Sequence, residues 1–257
     1  MASKEVTAVS AEQFSADAST GVRAKRQFRR FFPGMALFAL AVLIFAFVPE
    51  YVQYSQGSFP IAWVLHIHAA IMVAWVGVFS LQAYLGATGR IAQHRKTGNF
   101  AFAIGWLAWV SMIFVEWRHL LVNAPPQDVG VYDWLLPGPY VYFTFPLFLA
   151  WAYRTRQRPD WHKRFITFAL FLSLQAAIQR FLWIPVRFGY WPFAGFLDAC
   201  LLVPLVVYDL RSPKRSLHPA TIRAALVLFA AQAILFSLWG TAAWRHFAYA
   251  VAHAVRR

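Results

Sequence analysis

Few residues in this chain could do chemistry, and most of them stand alone in apolar surroundings. His66, Glu116, His119, Arg180 and Asp198 each interrupt a long hydrophobic run. Histidine nitrogens and carboxylate oxygens are donors that zinc and non-haem iron accept, so His66, Glu116, His119 and Asp198 form a candidate metal set. Imidazoles from two helices can instead sandwich haem b, which makes His66, His68 and His119 candidate axial ligands and Arg180 a propionate partner. A third chemistry needs no cofactor: an Asp198–Arg180 pair beside His66 would relay protons or bind a polar headgroup. Buried polar residues that merely satisfy one another and fix helix positions are the plain alternative to all three. Glu116 and His119 are three apart and share a helical face. The Glu-x-x-His half-motif of di-iron bundles appears twice in such proteins, and here once.

A second set is His94, His162 and His218. Each lies beside a basic stretch: His94-Arg95-Lys96, His162-Lys163-Arg164, and His218-Pro219-Ala220 after Lys214 and Arg215. If the three converge they form a three-histidine metal site. Otherwise they are ordinary interfacial side chains. The recurrence is also a short internal echo, of the kind repeated helical hairpins leave. His246 and His253 are seven apart on one face near the C-terminus. No Walker lysine loop, no rhodopsin-like lysine in the last apolar run and no multi-histidine cluster occurs, so no catalytic residue is assigned.

The elements that must position these groups follow from composition. The chain has 257 residues, of which 60% are hydrophobic and 13% charged. The charged share is about half that of a soluble domain. A cytosolic enzyme, a disulfide scaffold and a disordered chain are excluded. The single cysteine, Cys200, cannot form an internal disulfide. A bilayer core takes roughly 20 apolar residues per helix, and seven runs supply them: 31–51, 60–87, 100–121, 134–153, 165–184, 191–208 and 219–244. The expected fold is all-α, a seven-span transmembrane bundle over 31–244. A disordered basic tail is expected over 1–30 and a short basic tail over 245–257.

The net charge of +14 tests the count. Of 24 Lys and Arg, 18 fall before run one, between runs two and three, between four and five, and around the loop between six and seven. That alternation matches the positive-inside rule, with the N-terminus cytoplasmic and the C-terminus outside. The charge therefore reports orientation, and nucleic acid is not an expected partner; the bilayer is, with a small-molecule or lipid ligand at any intramembrane site. On this topology His66 sits roughly 9 Å below the outer surface at 1.5 Å per residue. Glu116, His119, Arg180 and Asp198 fall in the same outer-half layer. Small residues permit close helix approach, so the stripe Ala62, His66, Ala69, Ala70, Val73, Gly77 and Ser80 is expected to face inward. His68, about 200° round the helix, shares its face with Met72, Trp75 and Phe79.

The segments Leu65-His66-Ile67-His68-Ala69-Ala70, Gln82, Thr88-Gly89-Arg90 and His94-Arg95-Lys96-Thr97-Gly98 carry a resemblance. So do Phe32-Pro33-Gly34-Met35-Ala36 and Leu217-His218-Pro219-Ala220-Thr221. Together they resemble a widespread group of uncharacterised bacterial polytopic inner-membrane proteins, best over the first three runs. The resemblance implies a bacterial inner-membrane location and a helical bundle, and assigns no activity. Seven-span metal hydrolases of the adiponectin-receptor and ceramidase type share the expected topology, but their paired histidines in the last span have no counterpart here.

Overall fold

The computed structural model describes residues 30–53, 55–56, 62–123, 137–178, 180, 200, 202–212 and 214–255, without the side chains of 119–123 and 137–139. Among them the chain is helical throughout, with no strand. Helix α1 spans Arg30–Gln53. It is followed by α2 Trp63–Ala87, α3 Ile91–Asn123, α4 Pro137–Arg154, α5 Pro159–Ser173 and the single turn α6 Gln175–Ile178. A further stretch, α7, covers 202–210, and α8 Pro219–Leu238 and α9 Ala242–Val255 complete the chain. Expectations about the N-terminal tail before residue 30 and about Asp198 fall outside the described residues.

Four of these helices, α1, α2, α3 and α8, are long and apolar enough to cross a membrane. Their outward faces carry large apolar side chains, such as Phe45, Val73, Phe114 and Leu226, as lipid contact requires. The expected fourth run is the 18-residue α4, which contains Pro146. The expected fifth run is divided. Helix α5 stops at Ser173, Leu174 N–H bonds Phe171 O in a tighter turn, and α6 follows. Ser173 sits at the break with its hydroxyl donated to Leu170 O at 2.6 Å, a local bond that competes with regular helix.

Two tight hairpins organise the bundle. Helix α2 packs along α3, and α4 along α5. The α2–α3 connection is only Thr88–Arg90, so the segment expected as a basic loop, including His94, Arg95 and Lys96, is the start of α3. The turn closes because Gly89 takes φ 77°. Arg90 N–H then reaches Leu85 O at 2.9 Å and Gly89 N–H reaches Gly86 O at 3.3 Å, a Schellman end that favours glycine. The α4–α5 connection, residues 155–158, is also short. Helix α5 starts with Pro159, whose fixed φ suits a first helical position, and Asp160, whose charge suits an N-terminus. The segment expected as a short basic C-terminal tail lies mostly in α9, set off from α8 by Gly240 at φ 73°.

Helix α5 is the centre: Arg164, Phe165 and every residue of 167–173 are buried. Trp75 of α2 points at it, 1% exposed, and its indole N–H donates to Ser173 Oγ at 3.1 Å. Phe145, Phe148, Phe168 and Phe171 fill the same core. This reverses the facing expected for α2. Met72, Trp75 and Phe79 are buried, whereas Ala69, Ala70 and Val73 are exposed. The small residue that allows close approach is on the partner helix. A Cβ on Gly105 of α3 would stand 2.8 Å from the Trp75 ring and 3.1 Å from Leu149, so the large face of α2 packs where α3 has no side chain.

Candidate functional site

The basic segments meet at one end of the bundle, and four consecutive residues of α5 show why. Successive helical residues diverge by about 100°, so Trp161, His162, Lys163 and Arg164 each address a different neighbour. Trp161 meets the His218 ring edge-on at 5.3 Å and lies under Arg223. Lys163 pairs with Asp160 and donates to Tyr208 Oη at 2.9 Å. Arg164 forms a buried ion pair with Asp209.

Asp209 ends the sixth apolar run and is fully satisfied. Arg164 Nε donates to its Oδ1 at 3.0 Å, with a second bond from Nη2. Thr221 Oγ1 and His218 N–H donate to Oδ2 at 2.6 and 2.9 Å. A carboxylate closed to solvent with all these donors joins α5, α7 and the start of α8 into one unit. Lys163, by donating its hydrogen bond, holds the Asp160 carboxyl below its ordinary range.

The three histidines of this end do not form one cluster. The Nδ1 of His94 lies 3.2 Å from Gln82 O, and that of His162 2.9 Å from Ala152 O. A carbonyl only accepts, so both rings carry the proton on Nδ1 and leave Nε2 as a lone pair when neutral. Their ring centres are 6.2 Å apart and nearly perpendicular. His218 has the opposite arrangement: its Nδ1 accepts from Ala220 N–H at 3.1 Å, capping α8. Of the three histidines that could have converged, only two rings meet, because the third is spent on a helix cap. Burial pushes both His162 and His218 below the ordinary imidazole range, with His94 adding to the effect on His162 and Arg164 to that on His218.

The opposite end holds the polar layer expected in the outer half, with altered membership. His66 is exposed, its ring edge-on to Tyr51 at 6.1 Å. His68 takes its place. Ser111 Oγ gives its one proton to Ala108 O at 2.7 Å, so it must accept from His68 Nδ1–H, 3.0 Å away. Arg180 donates to Glu50 Oε2 and Ala176 O, lies 4.4 Å over the Phe47 ring, and acts electrostatically on His68. Glu116 accepts a hydrogen bond from the Tyr142 hydroxyl, and Tyr142 O accepts from Trp109 Nε1 at 2.9 Å. The side chain of His119 and all of Asp198 lie outside the described residues. Among the described residues no three His, Cys, Asp or Glu side chains converge as a metal would need.

Glu50, Ser111 and Tyr142 were not singled out by sequence. Glu50 follows Pro49 at the end of an otherwise uncharged run, which was the available signal. No family model, curated protein or solved structure matches this chain.

Proposed function

We propose that this is a seven-span protein of a bacterial inner membrane, N-terminus inside and C-terminus outside, whose outer-half polar layer relays protons in a transporter or sensor. The observation that carries the reading is the pairing of that layer: His68 with Ser111, Glu116 with Tyr142, and Arg180 with Glu50. Those groups come from α1, α2, α3, α4 and the segment after α6. Ionisable side chains at membrane depth are costly and mark relays where they pair with one another. Ligands awaiting a metal would leave lone pairs aimed at one point, and Glu116 and Glu50 already accept bonds from protein donors. The notion of a hydrolytic or redox cofactor on His66, Glu116, His119 and Asp198 is therefore the weaker reading, with His66 turned outward.

Reconstitution tests it. Vesicles holding the purified protein and a trapped pH-sensitive dye should acidify under a potassium diffusion potential, and His68→Phe should abolish the flux. Flux no greater than that of protein-free vesicles, or a haem absorption band lost in His68→Phe, would overturn the relay.

A further inference from the structure

The sharpest unused arrangement lies at the basic end, away from the polar layer. In each hairpin a histidine near the start of the second helix donates Nδ1–H to a carbonyl near the end of the first. His94 reaches back 12 residues to Gln82 O, and His162 reaches back 10 to Ala152 O. The two hairpins thus use the same device at the same end, and their two rings meet each other.

Anchoring Nδ1 on a carbonyl is the usual outer-shell support of a metal-binding imidazole: it fixes the tautomer, orients the ring and raises the basicity of Nε2. With metal–nitrogen bonds of about 2.0–2.1 Å, two imidazole centres on one tetrahedral ion stand roughly 5 Å apart. The observed separation is 6.2 Å, so the rings need to close by about 1 Å on binding. A third donor is near. Gln82 Nε2 donates to Thr97 Oγ1 at 2.7 Å, one turn along α3 from His94, and Thr97 spends its own proton on Gln93 O. The amide orientation is therefore fixed, and Gln82 Oε1 is left shielded from solvent with no hydrogen-bond partner. A buried orphan acceptor of this kind calls for an account. Phe102, 6.1 Å from His162 and 5.0 Å from Tyr153, walls the pair on one side.

We infer that His94 and His162, with Gln82 Oε1 and water completing the shell, bind one divalent transition-metal ion of the zinc and cobalt class between the two hairpins. Imidazole nitrogen selects this class over magnesium and calcium, which prefer oxygen. The ion cross-links α2–α3 to α4–α5. The site is independent of the proton-relay reading, since its residues are at the other end of the bundle.

The test is a Co²⁺ titration of the chelator-stripped, full-length protein in detergent, followed by visible absorption. The expected result is one ion per chain, with affinity at least roughly tenfold weaker in His94→Gln and in His162→Gln. His218→Gln and the His246→Gln, His253→Gln pair should bind as the parent does. Nitrogen-15 imidazole spectra of the unaltered protein avoid any folding defect: Zn²⁺ should move the Nε2 signals of two histidines that keep protonated Nδ1. Absence of Co²⁺ binding, binding retained in both His94→Gln and His162→Gln, or Zn²⁺ shifts confined to other histidines would overturn the site.

Discussion

At the basic end Asp209 has a side chain with no exposure and accepts from Arg164, His218 and Thr221, while at the opposite end Arg180 and Glu50 meet with 38% and 32% of their side chains exposed. Both are ion pairs joining distant parts of the chain, yet they differ in what can move. A closed, fully hydrogen-bonded pair cannot lose one partner without stranding a buried charge. A part-exposed pair can exchange one partner for another without stranding a fully enclosed charge. The basic end therefore holds helices in place, and on the proposed reading the opposite end is where protons and partners exchange. The same contrast applies to the histidines. His94 and His162 are tied to backbone carbonyls, whereas His68 is tied to the hydroxyl of Ser111, itself a rotatable group.

The contrast breaks most visibly at Asp209. Asp209→Ala leaves Arg164 buried without its counter-charge, and a loss of about 3–5 kcal/mol is expected, read from denaturant or thermal unfolding in detergent. Arg180→Gln, at a pair that is only partly enclosed, should cost less than Asp209→Ala. Similar losses for the two variants would remove the distinction between the ends. Below Asp209→Ala also lies Gly105→Ala, which drives a methyl into the Trp75 ring and Leu149. Overpacking of this kind costs about 1–3 kcal/mol and should broaden the indole N–H resonance of Trp75 through its bond to Ser173.

Protonation sharpens the comparison further. His162 and His218 bind protons less readily in the folded chain than in the unfolded one, because burial disfavours their charged forms. Their neutral forms are thus compatible with full stability above about pH 6.5, and stability falls as pH drops below that value toward the depressed folded ones. A thermal midpoint that declines between about pH 6.5 and 5 and is flatter in His162→Gln and His218→Gln is the expected outcome. The smallest effect is at Ser111→Ala. Hydrogen bonds within membrane bundles average about 0.6 kcal/mol, so stability should barely change while His68 loses its anchor.

How much of this was legible in the sequence depends on the range of the forces involved. Helical runs and the grouping of basic segments are local and compositional, and four of the runs reappear as helices able to span. The facing of α2 was misread because it is decided across an interface. Small residues on α2 suggested close approach there, but the gap that accepts Trp75 is made by Gly105 on α3. The His94 and His162 repeat was visible as an echo, while their shared tautomer depends on carbonyls 12 and 10 residues earlier, and no spacing rule exposes that. Asp209 meets Arg164, 45 positions away in sequence, and which basic residue it would meet is not set by any local pattern. Glu50 and Arg180 are 130 apart, beyond any pattern in the chain itself.

The central claim is that the outer-half layer, and not the basic end, carries proton movement. The direct measurement is dye-reported flux in vesicles containing the parent protein, His68→Phe or His218→Gln, each at equal folded density. The account predicts flux in the parent and in His218→Gln and none in His68→Phe. Flux that survives His68→Phe, or that disappears in both variants alike, would contradict it.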